Sequence, residues 1–283
     1  MLKENRLNRN SIPFLILGII HLFILVKLIN QQRHRLTFIL LLTNIGLAYM
    51  FEYFVLNLFQ AYTYKPRVMK QRNFDNIFGA ILSQALFVPV TATYLTLSQK
   101  NWKWKLAFSS GYYFIEKLFL RLQIYKVHWW KPLYTFLLIN VYFIISDCFY
   151  QSIMNRKKWA LKTAHYLSIE VIYITLMYVA AARRRIRFGR GYVHSWREHF
   201  IIAPLYSFLF SAMACLTSVK SGLHYRLLLL FGNVVMDLVL VRAGVLKLHF
   251  QYYIRILLSQ FLMSILSRSL YNLIYKQNDA NIH

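Results

Sequence analysis

Five acidic residues, Glu52, Glu116, Asp147, Glu170 and Asp237, fall inside long apolar runs of this 283-residue chain. A carboxylate at the centre of a bilayer costs roughly 3 kcal/mol on insertion scales, so it faces a partner or a water-filled cavity. Burial favours its neutral form unless a cation pairs with it. Two chemistries follow. The acids could form a proton- or cation-responsive binding site, or they could be clamps that pair with basic residues or tyrosine hydroxyls and fix helix register. Asp147 and Arg268 form one such candidate pair, and Glu116 with Lys117 or a neighbouring helix is another. Glu116, Glu170 and Asp237 are expected near mid-span.

His128 and His249 stand at equivalent helix exits, each beside an aromatic residue. They read as a paired proton or ligand site, or as members of an interfacial aromatic belt. Arg183, Arg184, Arg185, Arg187 and Arg190 crowd one loop, which could meet anionic lipid headgroups or set membrane topology. No metal or cofactor is indicated. The chain has no HExxH, no paired histidines at helical spacing, no P-loop, no GxGxxG and no GxSxG. Its two cysteines, Cys148 and Cys215, have no zinc or disulfide spacing and read as small buried hydrophobes.

These residues must be held by helices that cross a membrane. Hydrophobic residues make up 58% of the chain, with 22 Phe and 21 Tyr, more than a soluble domain of this length could bury. They come in runs near the 20 residues that span a bilayer core. The pattern predicts nine transmembrane helices: 11–29, 36–58, 77–97, 104–122, 132–150, 159–182, 200–219, 225–246 and 252–273. Pro132 suits a first helical turn. Pro89 predicts a kink, with Thr91 and Thr93 placed to satisfy freed backbone groups. The net charge of +25 is concentrated at span ends and in loops. It therefore points to anionic headgroups rather than to nucleic acid. The larger share of the Lys and Arg lies on the side of the N-terminus, which the positive-inside rule makes cytoplasmic.

The chain also repeats itself. A shift of 121 residues places Gly111 on Gly232, Glu116 on Asp237, Arg121 on Arg242, Lys126 on Lys247 and His128 on His249. A shift of 118 places Glu52 on Glu170. The organisation expected is one N-terminal helix (1–35) and two four-helix repeats (36–153 and 154–283). An even helix number returns the chain to its starting side, so the repeats run parallel, and their interface is where a site would lie.

Tyr64-Lys65-Pro66, Phe74-Asp75-Asn76 with Gly79 and Ser83-Gln84, Pro89, Glu116-Lys117-Leu118-Phe119-Leu120, and Tyr125 with His128-Trp129-Trp130 follow in order. Over roughly residues 36–150 this series resembles an uncharacterised family of small multi-pass membrane proteins from endospore-forming Firmicutes. The resemblance implies a bacterial cytoplasmic membrane and adds no mechanism. The second repeat lacks the Tyr-Lys-Pro element and the double Trp.

The chain thus reads as an all-α polytopic membrane protein. Its expected activity is that of a small proton- or cation-coupled transporter or ligand-binding protein. The alternative is a non-catalytic scaffold or sensor that contacts headgroups, a membrane partner or a second copy of itself.

Overall fold

The computed structural model describes residues 8–31, 34–248 and 253–276. The chain divides into two compact units, Met1–Lys157 and Lys158–His283.

The first unit begins with α1 (Ile12–Gln31) and α2 (His34–Glu52). Past Glu52 the second helix widens into a π-helical segment, Tyr53–Leu58, which leads to strand β1 (Tyr62–Tyr64). The next rod starts as α3 (Arg72–Ile81), widens at Leu82–Phe87 and closes as α4 (Val88–Leu97). Pro89 sits in the first turn of α4. Its ring crowds the preceding turn and its nitrogen has no proton to donate, so a wider turn upstream relieves both. Thr93 donates to the Pro89 carbonyl at 2.7 Å. Thr91 reaches another helix instead, meeting the Tyr112 hydroxyl at 2.8 Å.

Helix α5 (Trp102–Arg121) begins at an Asn101 cap, whose side chain accepts from the Trp104 amide. It leads through β2 (Tyr125–Val127) to α6 (Pro132–Met154), with Pro132 in the first turn. Strands β1 and β2 pair antiparallel, Tyr62 opposite Val127 and Tyr64 opposite Tyr125. Helix α1 packs on α4 and on the π-helical turn before it.

The second unit runs α7 (Lys158–Ala182), β3 (Ile186–Phe188), α8 (Trp196–Thr217), α9 (Leu223–Arg242), β4 (Leu246–Leu248) and α10 (Tyr253–Tyr275). A capping box starts α8: Ser195 accepts from the Glu198 amide while the Glu198 carboxylate accepts from the Ser195 amide. Strands β3 and β4 pair antiparallel, with Arg187 opposite Lys247. Helix–strand–helix–helix–strand–helix is thus the order of the second unit and also of the first from α2 onward.

The fold is all-helical apart from these short strands. At three residues each they are too short to leave a period-two signature in the sequence. Among the described residues seven helices are long and apolar enough to cross a membrane. Helices α5 and α10 are not among them. Lys103, Lys105, Glu116, Lys117 and Arg121 dilute the hydropathy of α5, and Arg255, Arg268 and several serines dilute that of α10.

Candidate functional site

The site is built where the first unit closes around its strand pair. Asp75, near the start of α3, accepts from three successive backbone amides: Arg67 at 2.9 Å, Val68 at 2.7 Å and Met69 at 2.9 Å. Asn76 accepts from the Tyr64 amide at 2.7 Å. These bonds fold the 62–69 segment back over α3, where Gly79 makes room for it. A Cβ at Gly79 would stand 2.4 Å from the Tyr64 Cβ. The Tyr-Lys-Pro, Phe-Asp-Asn and Gly elements therefore form one clamp whose product is the position of Tyr64.

Behind the clamp lies a cavity of about 320 Å³. Its wall is mostly apolar and aromatic, drawn from α1, α2, α5, α6 and both strands. Tyr62, Tyr64, Tyr125 and Trp130 form one contiguous aromatic cluster, with ring centroids 5.1–5.5 Å apart. Burial, first of all, holds the phenols of Tyr62, Tyr64 and Tyr125 well above the usual tyrosine range, and the Glu52 carboxylate pushes each further up.

Two acids serve this cavity. Helix α5 buries only Ser109, Glu116 and Phe119, so its single acid lies on its narrow inward stripe. Glu116 lines the cavity beside Thr135. Its Oε1 is buried, with no hydrogen-bond partner among the described residues. Glu52 stands behind the wall and is held by residues of the wall. The Tyr62 hydroxyl donates to its Oε2 at 2.7 Å and the Gln84 amide at 2.9 Å. Its Oε1 likewise is buried with no partner among the described residues. Both π-helical segments flank this bond, one directly after Glu52 and one containing Gln84. Such segments re-aim side chains that a regular helix would leave elsewhere.

In the second unit the acids are fully engaged. Glu170 accepts from Ser207 at 2.8 Å and from Ser211 at 2.7 Å. Asp237 accepts from the Tyr206 hydroxyl at 2.6 Å and from Gln260 at 3.1 Å. Tyr173 stacks on Phe210 beside them, with centroids 3.8 Å apart. Glu116 and Asp237 each stand five residues before the end of their helices, at Arg121 and Arg242, rather than at mid-span.

The remaining candidates lie apart from the cavity. Asp147 pairs with Lys105 and accepts from Thr96 at 2.8 Å. Arg268, its anticipated partner, instead donates to the Ser218 and Val219 carbonyls at 2.7 and 2.8 Å, at the end of α8. His128 is exposed on the strand pair and meets the Thr63 hydroxyl at 3.0 Å. His249 lies outside the described residues. Arg183, Arg184 and Arg190 are exposed, Arg185 is half-buried, and Arg187 sits over the Trp196 ring in β3. Cys148 is exposed, not buried, and half-buried Cys215 lies 3.4 Å from His165.

Among the described residues no three His, Cys, Asp or Glu side chains group as metal ligands. The arrangement of the first unit can accept a donor or a positive charge in an aromatic, water-poor chamber. The sequence singled out both acids of that chamber. It did not single out Tyr62, Tyr112, Tyr125, Trp130 or Gln84 as their companions, although Gln84, Tyr125 and Trp130 lay in the series that carries the family resemblance. Comparison with protein-family models, curated proteins and solved structures finds no match.

Proposed function

We propose that this chain is a ligand-binding membrane protein whose first unit receives a small amphipathic molecule in the cavity lined by Glu116. The observation that carries this reading is Glu116, which lines a chamber of about 320 Å³ and whose buried Oε1 has no hydrogen-bond partner among the described residues. A buried acceptor left without a donor costs about 1–3 kcal/mol, and a bound molecule supplying a donor recovers it. Phe51, Leu138, Val141 and Ile145 line the same cavity and are themselves exposed. They make an apolar mouth between α2 and α6, suited to entry from the lipid side.

The reading extends to nine spans in two like units. Strand β1 follows α2, and β2 follows α5; they can pair on one face only if the chain crosses twice between them. With the α3–α4 rod as one crossing, this pairing supports α5 as the other. Likewise His165, near the start of α7, meets the Ser267 carbonyl late in α10 at 3.1 Å, which supports a full crossing by α10. The shared element order and the matched placement of Glu116 and Asp237 support duplication. By the positive-inside rule the N-terminus and both strand pairs face the cytoplasm of a bacterial cell membrane. There the exposed Arg183, Arg184 and Arg190 meet anionic headgroups.

The test is stabilisation of the full chain in nanodiscs by tert-butylbenzene. A saturable rise in Tm is expected for the wild type, following mass action. Ala48→Phe, which fills the chamber from α2, should show none. No saturable rise in wild type would sink the reading. Coupled transport is a further step, and uptake into proteoliposomes by wild type but not Glu116→Gln would establish it.

A second reading is favoured by the second unit. There Glu170 and Asp237 are satisfied by Ser207, Ser211, Tyr206 and Gln260. Such acids act as register clamps, and that unit alone fits a scaffold.

A further inference from the structure

The chemical class of the occupant can be argued from the chamber itself. Glu116 brings an acid that a bound cation would hold ionised, and no Lys or Arg lines the cavity to do so. Lys117, the residue after Glu116, lies over the Tyr113 ring at 4.8 Å. The donors of the wall are hydroxyls, the Trp130 indole, which donates to Thr135, and one amide, and Gln84 and Tyr62 already serve Glu52. Tyr64 and Tyr125 both lie within the electrostatic reach of Glu52 and of Glu116. The aromatic cluster therefore lies near both acids.

A neutral apolar guest would use the rings for contact only. A cation gains from the negative faces of Tyr and Trp rings as well as from the carboxylate. A bare metal ion would need several oxygen ligands at once, and the wall is mostly carbon. Building on the ligand-binding reading above, we propose that the chamber takes an organic monocation, an ammonium group carried on an apolar body. The ammonium sits against Glu116 and the cluster of Tyr62, Tyr64, Tyr125 and Trp130, and the body fills the mouth at Leu138, Val141 and Ile145.

Two probes of the same shape separate this from the broader reading. Phenyltrimethylammonium and tert-butylbenzene differ in essentially one atom, nitrogen for carbon, and hence in charge. Both are titrated against the full chain in nanodiscs of zwitterionic lipid, with binding read from saturable shifts in Tm. The cation should bind at least about tenfold more tightly than its neutral isostere. In Glu116→Gln the ratio between the two should fall towards one. Trp130→Leu should lower it as well, which keeps the test open if Glu116→Gln does not fold. Equal affinities in wild type would overturn the cation assignment and leave a neutral-ligand chamber standing. Binding of neither probe would overturn the ligand-binding reading itself.

Discussion

At the scale of single residues, the clamp and the chamber are separable. Asp75→Ala removes the acceptor of three backbone amides, and a lost bond to a charged acceptor costs about 1.5–3 kcal/mol. The expected result is a lower Tm and rapid tryptic cleavage among Lys65, Arg67, Lys70 and Arg72. Gly79→Ala places a methyl in contact with Tyr64 and should cost about 1–3 kcal/mol through overpacking. Tyr125 offers a test of burial by pH. Its phenol is held neutral in the folded chain, so the folded pKa exceeds the unfolded value near 10. The stability this confers is complete below about pH 10 and declines above it, because the unfolded chain alone gains by ionising. Tyr125→Phe should therefore lose stability more slowly than wild type as pH rises past 10. The gap should change by up to about 1.4 kcal/mol per pH unit, measured by denaturant titration at several alkaline pH values. The acids themselves were legible in the sequence because each breaks an apolar run. Their partners were not, because Tyr62 and Tyr125 are two among 21 tyrosines and only the fold distinguishes them.

At the scale of elements, the π-helical turn at Leu82–Phe87 sets where Gln84 points. Deleting Ala85 should restore a regular helix, rotate Gln84 away from Glu52 and abolish probe binding while helix content by circular dichroism stays the same. Retained binding would show that the turn is incidental. Between α5 and α6, Lys105 and Asp147 form the ion pair identified among the described residues. They are partly exposed, so Asp147→Asn should cost about 1 kcal/mol or less, and the exchange Lys105→Asp with Asp147→Lys should recover part of it. Seven of the long helices were legible from hydropathy. The strands and π-helical turns were not. They depend on how a few residues satisfy backbone groups at a helix end, and hydropathy does not encode that.

At the scale of the whole molecule, the span count is open to direct measurement. If α5 crosses the bilayer, Gln99 before it and Lys126 after it lie on opposite faces, and if it does not, they share one. In a chain with Cys148 and Cys215 replaced by serine, Gln99→Cys and Lys126→Cys should label from opposite sides with an impermeant maleimide. Labelling from one side would remove α5 from the count. The strand pair then bears on how the protein is made. Tyr64 and Tyr125 are about sixty residues apart in the chain, so β1 leaves the ribosome well before the segment it pairs with. Until α5 has been made and Val127 has emerged, the unit has an unpaired strand edge and a half-built wall. Helices α1 to α4 must therefore wait in the bilayer in an incomplete state, and the earliest intermediates of biosynthesis are the ones most exposed to membrane proteases.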